Sequence, residues 1–124
     1  MTWNLNSERP IYAQIIERIQ LDIIAGRYQA GEKLPSVRDL ASEAAVNPNT
    51  MQKALSELER AGLVYTQRTS GRFITGDTNM IKKTKEEVAA EQIRSFIEKI
   101  RQLGLDPEET IQMLQKMIKE EKTQ

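Results

Sequence analysis

The sequence contains neither cysteine nor histidine among its 124 residues. Without cysteine the chain forms no disulfide and carries no thiolate nucleophile or thiolate metal ligand. Without histidine it lacks the side chain that most often serves as a general base or binds a metal. Carboxylates and lysines remain, but the sequence shows no convergent carboxylate pair. We therefore expect no enzyme, no catalytic residues, no metal site and no cofactor.

Long apolar runs are also missing, since no stretch approaches the roughly 18 apolar residues of a membrane-spanning helix. The opening stretch, MTWNLNSERP, has no basic patch followed by an apolar segment. We therefore expect no secretory signal and a cytoplasmic protein without membrane contact. With 39% hydrophobic and 29% charged residues, the composition is typical of a globular chain. The 18 basic residues balance 18 acidic ones, which argues against a non-specific nucleic-acid coat.

The first part of the chain carries three helical patterns. Apolar residues at helical spacing predict a helix over residues 10–25. Ser36 is a suitable N-cap for a short second helix over residues 36–44. Asn47 is a suitable N-cap for a third helix, which runs to the stop signal at Gly62. The first turn of this third helix is polar and uncharged, so it has nothing apolar to bury.

Two short β-branched and aromatic segments follow, over residues 63–66 and 72–75, and predict a β-hairpin with a polar tip. The order helix, helix, short turn, helix, hairpin is typical of a winged helix-turn-helix. In helix-turn-helix proteins the second helix of the motif places its N-terminal residues against base edges in the major groove. Asparagine can pair with adenine, and threonine can contact either a donor or an acceptor. The polar first turn at residues 47–50 therefore has two interpretations: DNA readout, or helix capping by Asn47 and Thr50 alone.

A different pattern begins after residues 76–79, which are the strongest linker candidate in the chain. Thr84 with Glu87 resembles a capping box at the start of an amphipathic helix. Gly104 marks the end of that helix, and Asp106 opens a second one by the same capping logic. We therefore expect two amphipathic helices in an antiparallel hairpin.

The apolar stripes of these two helices predict a homodimer, because one chain cannot bury both stripes and a two-fold partner can. Two helices of this size are also too small to enclose the roughly 300 Å³ that small-molecule sites usually need. A small-molecule effector would then require two chains, and no single-chain pocket is expected. We divide the chain into a DNA-binding domain, residues 1–76, and a dimerisation domain, residues 77–124. The expected dimerisation residues are Ile93, Phe96, Ile97, Ile100, Ile111, Leu114, Met117 and Ile118.

Three ordered motifs extend over roughly residues 8–76: PIYxQI, GxxLPSxRxLA and VNPNTxxKAxxxLExxGL. With them the segment resembles the DNA-binding domain of the GntR family of bacterial transcription regulators. The VNPNT form and the short C-terminal segment are similar to the YtrA-type subfamily, whose small effector domain is a helical pair used for dimerisation. The resemblance implies a mainly α protein with a small β-hairpin, which binds a palindromic operator in double-stranded DNA as a homodimer and acts as a repressor. It also implies control of a transporter operon.

The resemblance assigns roles to particular residues. It implies that Arg38 reaches a guanine or a nearby phosphate, and that Ser36 caps its helix and touches phosphate. Asn47 and its neighbours fall on the contacting turn of the family. Simpler interpretations stay open: a solvated surface position for Arg38 or Lys53, and capping alone for Asn47. The expected DNA contacts are Ser36, Arg38, Asn47, Asn49, Thr50, Gln52, Lys53, Arg68 and Gly71.

The hairpin tip departs from the family pattern. Many relatives carry G-x-G-T there, whereas this chain reads RTSGRF over residues 68–73. Gly71 keeps the turn, and Arg68 is placed to reach the minor groove or the backbone. Arg72 stands where a small hydroxyl is common, so the sequence leaves the wing contacts open.

Two other functions compete with that of a DNA-binding regulator. The first is a protein-interaction adaptor that keeps a winged-helix core but has lost DNA readout; Arg38 and the polar turn at residues 47–50 argue against it. The second is a small enzyme, which the missing histidine and cysteine disfavour.

Overall fold

The computed structural model describes residues 3–123, and its contacts divide them into two compact units, one ending at Lys85 and the other beginning at Glu86. The described chain is mainly helical with one small hairpin, and its element order is that of the predicted winged helix-turn-helix followed by a helical pair. The elements are α1 (Ile11–Ile24), α2 (Val37–Ala44), α3 (Pro48–Arg60), β1 (Val64–Gln67), β2 (Gly71–Ile74), α4 (Thr78–Gln102) and α5 (Pro107–Lys122).

The core of the first unit is built from the inner faces of α1, α2, α3 and the hairpin. Each helix carries apolar residues three or four positions apart, so that one stripe turns inward while the other faces stay in solvent. The stripes of α1 and α3 pack against each other, and α2 packs on α3. The largest fully buried side chains are Ile15, Ile19, Ile23, Leu40, Met51, Leu55, Leu58, Leu63 and Ile74.

The hairpin pairs antiparallel, with Val64 opposite Ile74, and each strand lies within one residue of its predicted segment. At the outer edge of β2, Lys33 forms a bridge with Phe73. This bridge adds a short extended segment to the wing directly before α2. The wing and the start of α2 are therefore neighbours.

Three of the four N-terminal capping signals read from the sequence, at Ser36, Asn47 and Asp106, are confirmed. The Ser36 Oγ accepts a hydrogen bond from the backbone N–H of Asp39 at 3.1 Å at the start of α2. The Asn47 Oδ1 accepts one from the N–H of Asn49 at 2.7 Å at the start of α3. Asp106 forms a reciprocal capping box at the start of α5. Such caps satisfy N–H groups that the first helical turn leaves without a partner, so they fix where each helix begins.

The N-terminal segment is fastened to the helices of the first unit. Trp3 is buried, and the guanidinium of Arg18 lies 4.9 Å from its ring centroid. The indole N–H of Trp3 donates to Glu43 Oε1 at 3.5 Å. The side-chain amide of buried Gln14 accepts from the N–H of Asn6 at 2.9 Å and donates to its carbonyl at 2.8 Å. These contacts tie the segment to both α1 and α2.

The helix α4 begins earlier than predicted. The capping-box pattern at Thr84 predicted a later start after a linker, but the helix starts at Thr78. The Asp77 Oδ1 accepts a hydrogen bond from the N–H of Met80 at 3.0 Å and so caps the helix. Met80 and Ile81 pack against the core of the first unit. The prediction of a linker is therefore wrong, because these residues cap and begin a helix that is docked by apolar contacts.

The second unit consists of the remainder of α4, the loop around Gly104 and α5. Neither α4 nor α5 contains a buried residue. The division by contacts falls inside α4, between Lys85 and Glu86, whereas the sequence analysis placed a domain boundary at residue 76. Within residues 3–123, no helix has the length and apolar character needed to cross a membrane.

Candidate nucleic-acid interface

The turn between α2 and α3 is set by the backbone of Ala45. This residue adopts the left-handed conformation, with φ of 58° and ψ of 46°. The N–H of Val46 then donates to the carbonyl of Ala41 at 2.9 Å, which closes the C-terminus of α2. The chain turns sharply there and enters α3 at Pro48. As a result, the first turn of α3 lies at the surface.

On α2, the candidate Arg38 occupies the first turn and is exposed. Among the residues that the structure describes, its guanidinium forms no ion pair and no hydrogen bond. Ser36 precedes it as the N-cap and uses its hydroxyl oxygen on the helix. The Ser36 hydroxyl proton and the first N–H groups of α2 remain at the surface, where an anion could accept them.

On α3, the candidates divide into a capping residue and an exposed polar face. The Asn47 side chain caps the helix through its Oδ1. Asn49, Gln52 and Lys53 are all exposed, and their side chains form no hydrogen bond within residues 3–123. Residues three and four positions apart share one face of a helix, so these three side chains lie together, away from the buried stripe. Thr50 is half-buried beside them.

The basic side chains of residues 27–75 fall into two groups. Arg27, Arg60 and Arg72 each bind a carboxylate of the chain at 2.6–3.0 Å. The others form no ion pair within the described part of the chain and are exposed; they are Lys33, Arg38, Lys53 and Arg68. Within the described residues, the basic side chains of this region that form no ion pair therefore lie on α2, on α3, at the wing tip and in the segment before α2.

The wing tip presents Arg68 at its outer end. The N–H of Ser70 donates to the carbonyl of Gln67 at 3.1 Å, which closes the turn. Gly71 has a φ of +107°, a backbone conformation that L side chains rarely adopt. A Cβ at Gly71 would also lie 3.2 Å from the Cε of Lys33. Gly71 thus shapes the turn and leaves room for the lysine, while Arg68 stays exposed.

Sequence reasoning did not place Lys33 at the site. Its side chain lies beside Gly71, and its backbone forms a β-bridge with Phe73 of the wing. The available signal was its position directly before the α2 cap in a segment expected to be extended. Lys33, Ser36 and Gly71 together line a cleft of about 770 Å³ between the wing and the start of α2.

Not all the candidates are brought to one place. Asn47 and Thr50 line a separate cavity of about 430 Å³, whose walls include the buried Trp3. The exposed candidates of α3, Asn49, Gln52 and Lys53, line neither concavity and lie on the helix surface. The structure therefore arranges the candidates as an extended surface rather than as an enclosed pocket.

Arg72, whose role the sequence left open, turns toward α3. Its Nε donates to Glu59 Oε1 at 3.0 Å, and the hydroxyl of Thr66 donates to the same oxygen. The Thr66 hydroxyl, and after it the Arg72 guanidinium, hold the pKa of Glu59 below its usual value. Glu59 therefore stays charged and keeps Arg72 in an internal ion pair.

The candidate dimerisation residues form a second surface, in the second unit. Six of them line an open groove of about 1000 Å³ between α4 and α5. The expectation that a single chain forms no concavity of this size is wrong, because α4 and α5 leave a groove between their apolar stripes instead of filling it. The lining candidates are Ile93, Phe96, Ile97, Ile100, Ile111 and Leu114, while Met117 and Ile118 are exposed further along α5.

The family model "Bacterial regulatory proteins, gntR family" matches residues 11–74 of this chain. The uncharacterised HTH-type transcriptional regulator YhcF of Bacillus subtilis is 38% identical over 106 residues, which are 86% of this chain and 88% of that protein. The HTH-type transcriptional repressor YtrA of the same organism is 39% identical over 92 residues, or 73% of this chain and 71% of that protein.

Solved structures show the same likeness. A GntR family transcriptional regulator from Listeria monocytogenes superposes with a TM-score of 0.85 at 38% identity, covering 90% of this chain and 98% of that one. The DNA-binding domain of AraR in complex with operator ORX1 has a TM-score of 0.55 at 26% identity, covering 60% of this chain and 95% of that domain. The matched part corresponds in extent to a winged helix-turn-helix unit.

Proposed function

Since this chain belongs to the gntR family of bacterial regulatory proteins, with a YtrA-type architecture, we propose that it represses transcription by binding a palindromic operator as a homodimer. Its family membership makes it a DNA-binding transcription regulator rather than an enzyme. The observation that carries the finer proposal is the set of exposed polar and basic side chains on α2 and α3 that have no partner within the described chain. Such side chains are free to form hydrogen bonds with base edges or ion pairs with phosphates.

In this proposal α3 lies in the major groove, with its exposed face against the bases. Asn49 and Gln52 carry amides suited to bidentate pairing with adenine. Arg38, from the first turn of α2, pairs with a guanine or with a neighbouring phosphate. Lys53 supplies a charge for phosphate, a contact that positions the protein without reading sequence.

Two further groups hold the duplex at its backbone. Ser36 and the N-terminus of α2 offer donors to a phosphate, which the helix dipole also favours. Arg68 at the wing tip reaches the minor groove or the backbone. The AraR complex supports this arrangement, because its DNA-binding domain shares the fold and is bound to an operator.

The groove between α4 and α5 supports the dimer. Their apolar stripes are exposed in one chain, and a soluble regulator gains free energy when a second copy covers them. A two-fold dimer presents two copies of α3, and these match a palindromic site with half-sites about one helical turn apart.

The regulatory output is proposed from the relatives. YtrA is a repressor by name, and a repressor that works by occupancy needs only to cover a promoter. By the same likeness we propose that the controlled genes encode a transporter. The protein would act in the cytoplasm, where the promoter lies.

Fluorescence anisotropy tests the DNA-binding proposal. The probes are the duplex upstream of the gene that encodes this chain and a scrambled duplex of equal length. We expect the upstream duplex to bind roughly 10³-fold or more tightly, with log K falling linearly against log salt. Weak and equal binding of both duplexes, followed by no enriched sequence in a genome-wide DNA selection, would favour the adaptor and contradict the proposal.

The variant Arg38→Ala sharpens this test. Loss of a bidentate guanine contact is expected to cost about 1–3 kcal/mol of binding to the upstream duplex and little on the scrambled one. Arg60→Ala is the matched control, because Arg60 is also an exposed arginine of the helix-turn-helix unit but pairs with Glu57 at the far end of α3. If both variants lower affinity for the two duplexes equally, Arg38 contributes only charge and the readout assigned to it is wrong.

A further inference from the structure

We propose that Glu59, Thr66 and Arg72 act as positioning residues, which hold the wing against the end of α3 and thereby set where Arg68 meets the DNA. This inference rests on the proposed DNA-binding function. None of these three residues is among the expected DNA contacts. They act through the hairpin that carries Arg68.

The geometry joins three elements at one atom. Thr66 on β1 and Arg72 on β2 are directly opposite each other in the hairpin. Both side chains donate to Glu59 Oε1, which comes from the last turn of α3, with the Arg72 Nε at 3.0 Å. One carboxylate oxygen therefore fastens both strands of the wing to the recognition helix. Side chains directly opposite in an antiparallel pair lie on the same face, which makes this shared contact possible.

This ion pair differs from most others in the described chain. Arg60–Glu57, Arg94–Glu91 and Arg101–Glu98 each lie within one helix, three residues apart. Arg72–Glu59 spans 13 residues and joins two elements, and the Arg72 side chain is only 17% exposed. Partial burial limits screening by solvent, so a fixed geometry is better maintained than in an exposed pair. The pair therefore constrains tertiary structure rather than a single helix.

The opposite face of the hairpin leaves this role to the ion pair. Tyr65 and Phe73 stack there with ring centroids 5.7 Å apart. Tyr65 is 41% exposed and neither ring is part of the buried core cluster, so this stack joins the two strands to each other more than it joins them to the core. A two-stranded hairpin is only marginally stable by itself, and its orientation depends on what it packs against. Glu59 supplies a directional contact on the face toward α3.

Backbone hydrogen bonds are expected to keep the wing folded when the side-chain contacts of Glu59 are removed. The N–H of Leu34 donates to the Arg72 carbonyl at 2.9 Å, and the N–H of Ile74 donates to the Glu32 carbonyl at 2.8 Å. Ile74 is also fully buried in the core. Substitution of Glu59 is therefore expected to loosen the angle of the tip without unfolding the hairpin.

A double-mutant cycle in the full-length protein tests the inference. The variants are Glu59→Gln, Arg68→Ala and the double variant, and the measurement is affinity for the upstream duplex by anisotropy. Each single variant is expected to have a lower affinity than the wild type. The double variant is expected to have the same affinity as the single variant that binds less tightly. The coupling between the two positions should be at least about threefold.

The matched control is Glu57→Gln. It removes the same negative charge two positions earlier on α3, but its partner Arg60 lies in the same helix. Removal of a negative charge near DNA should slightly strengthen binding, so weaker binding by Glu59→Gln cannot come from charge alone. Thermal unfolding of every variant identifies a loss of fold. If Glu59→Gln does not fold, Arg72→Gln takes its place in the cycle, because it removes the other partner of the same ion pair.

Three results would overturn the inference: additive effects, an Arg68→Ala variant that binds like the wild type, or a Glu59→Gln variant that binds like Glu57→Gln. A merely structural role for Glu59 predicts the additive result together with a lower melting temperature. Failure of the proposed function is a separate result, because the wild type would then bind the upstream and scrambled duplexes alike.

Discussion

Two asparagines in the first turn of α3 separate helix capping from DNA readout. Asn47 accepts the N–H of Asn49 at 2.7 Å, so Asn47→Ala is expected to lower the free energy of unfolding by about 1 kcal/mol. Asn49 contributes only its backbone to that bond, and its side chain is exposed. Asn49→Ala is therefore expected to leave stability within about 0.5 kcal/mol and to weaken operator binding by about 1–3 kcal/mol.

Urea unfolding and anisotropy on the same two variants provide the measurement. Each variant is the control for the other, since both remove the same amide from the same helical turn. If Asn49→Ala binds the operator as tightly as the wild type, Asn49 is a solvated surface residue and does not read a base.

At the residue scale, the sequence was sufficient wherever a contact is local. Ser36, Asn47 and Asp106 were identified as caps because each bonds an N–H two or three residues away. The partner of Arg72 was not predictable, because Glu59 approaches it only after α3 and the hairpin have packed. Lys33 was missed for the same reason, since its neighbour Gly71 is distant in the chain.

At the element scale, the junction of α3 with α4 depends on Gly62. This residue has a φ of +85°, and a Cβ there would lie 2.8 Å from the Cε of Met80 in the first turns of α4. Gly62→Ala is expected to lower the free energy of unfolding by at least about 1–2 kcal/mol, because the backbone conformation itself is costly for alanine. Displacement of Met80 should add to that cost.

Gly26→Ala is the matched control for the junction. Its φ is +81°, but nothing lies within 4 Å of the added Cβ, so it measures the backbone cost alone. Chemical denaturation of both variants then isolates the contribution of Met80. Equal losses of unfolding free energy would mean that the flexible Met80 side chain moves aside at little cost.

The start of α4 illustrates why some element boundaries could not be read from the sequence. The pattern at Thr84 satisfies a capping box, but the same residues are also compatible with a helix interior. What selects the earlier start is the Asp77 cap together with the docking of Met80 and Ile81 on the core. That docking is a tertiary contact, whereas α5 began where predicted because Asp106 and Glu109 form a complete local box.

At the scale of the whole molecule, the exposed apolar groove of the second unit is the basis of the proposed dimer. The sequence predicted the stripes of α4 and α5 from their spacing, because spacing is a property of one helix. It did not predict the groove of about 1000 Å³, because the separation of two helices depends on their packing. The groove favours a dimer in which side chains of the second copy insert between α4 and α5, rather than one in which two flat apolar surfaces meet.

Ile111 lines the groove and is 53% exposed in one chain. If a second copy covers the groove, Ile111→Glu buries a charge at the interface, and the dimer is expected to dissociate. Sedimentation equilibrium should show a monomer at concentrations where the wild type is a dimer. Met113→Glu is the control, because Met113 is 51% exposed on the same helix but does not line the groove, so this variant should remain a dimer.

The same pair of variants links assembly to DNA binding. The winged-helix unit contains none of the substituted residues, so both variants should retain its fold by circular dichroism. Ile111→Glu should then bind a single half-site like the wild type and lose the extra affinity for the full palindrome, because that extra affinity comes from joining two heads. A monomeric variant with undiminished affinity for the full palindrome would contradict a role for the dimer in operator recognition. A dimeric Ile111→Glu variant would instead show that the groove is not the interface.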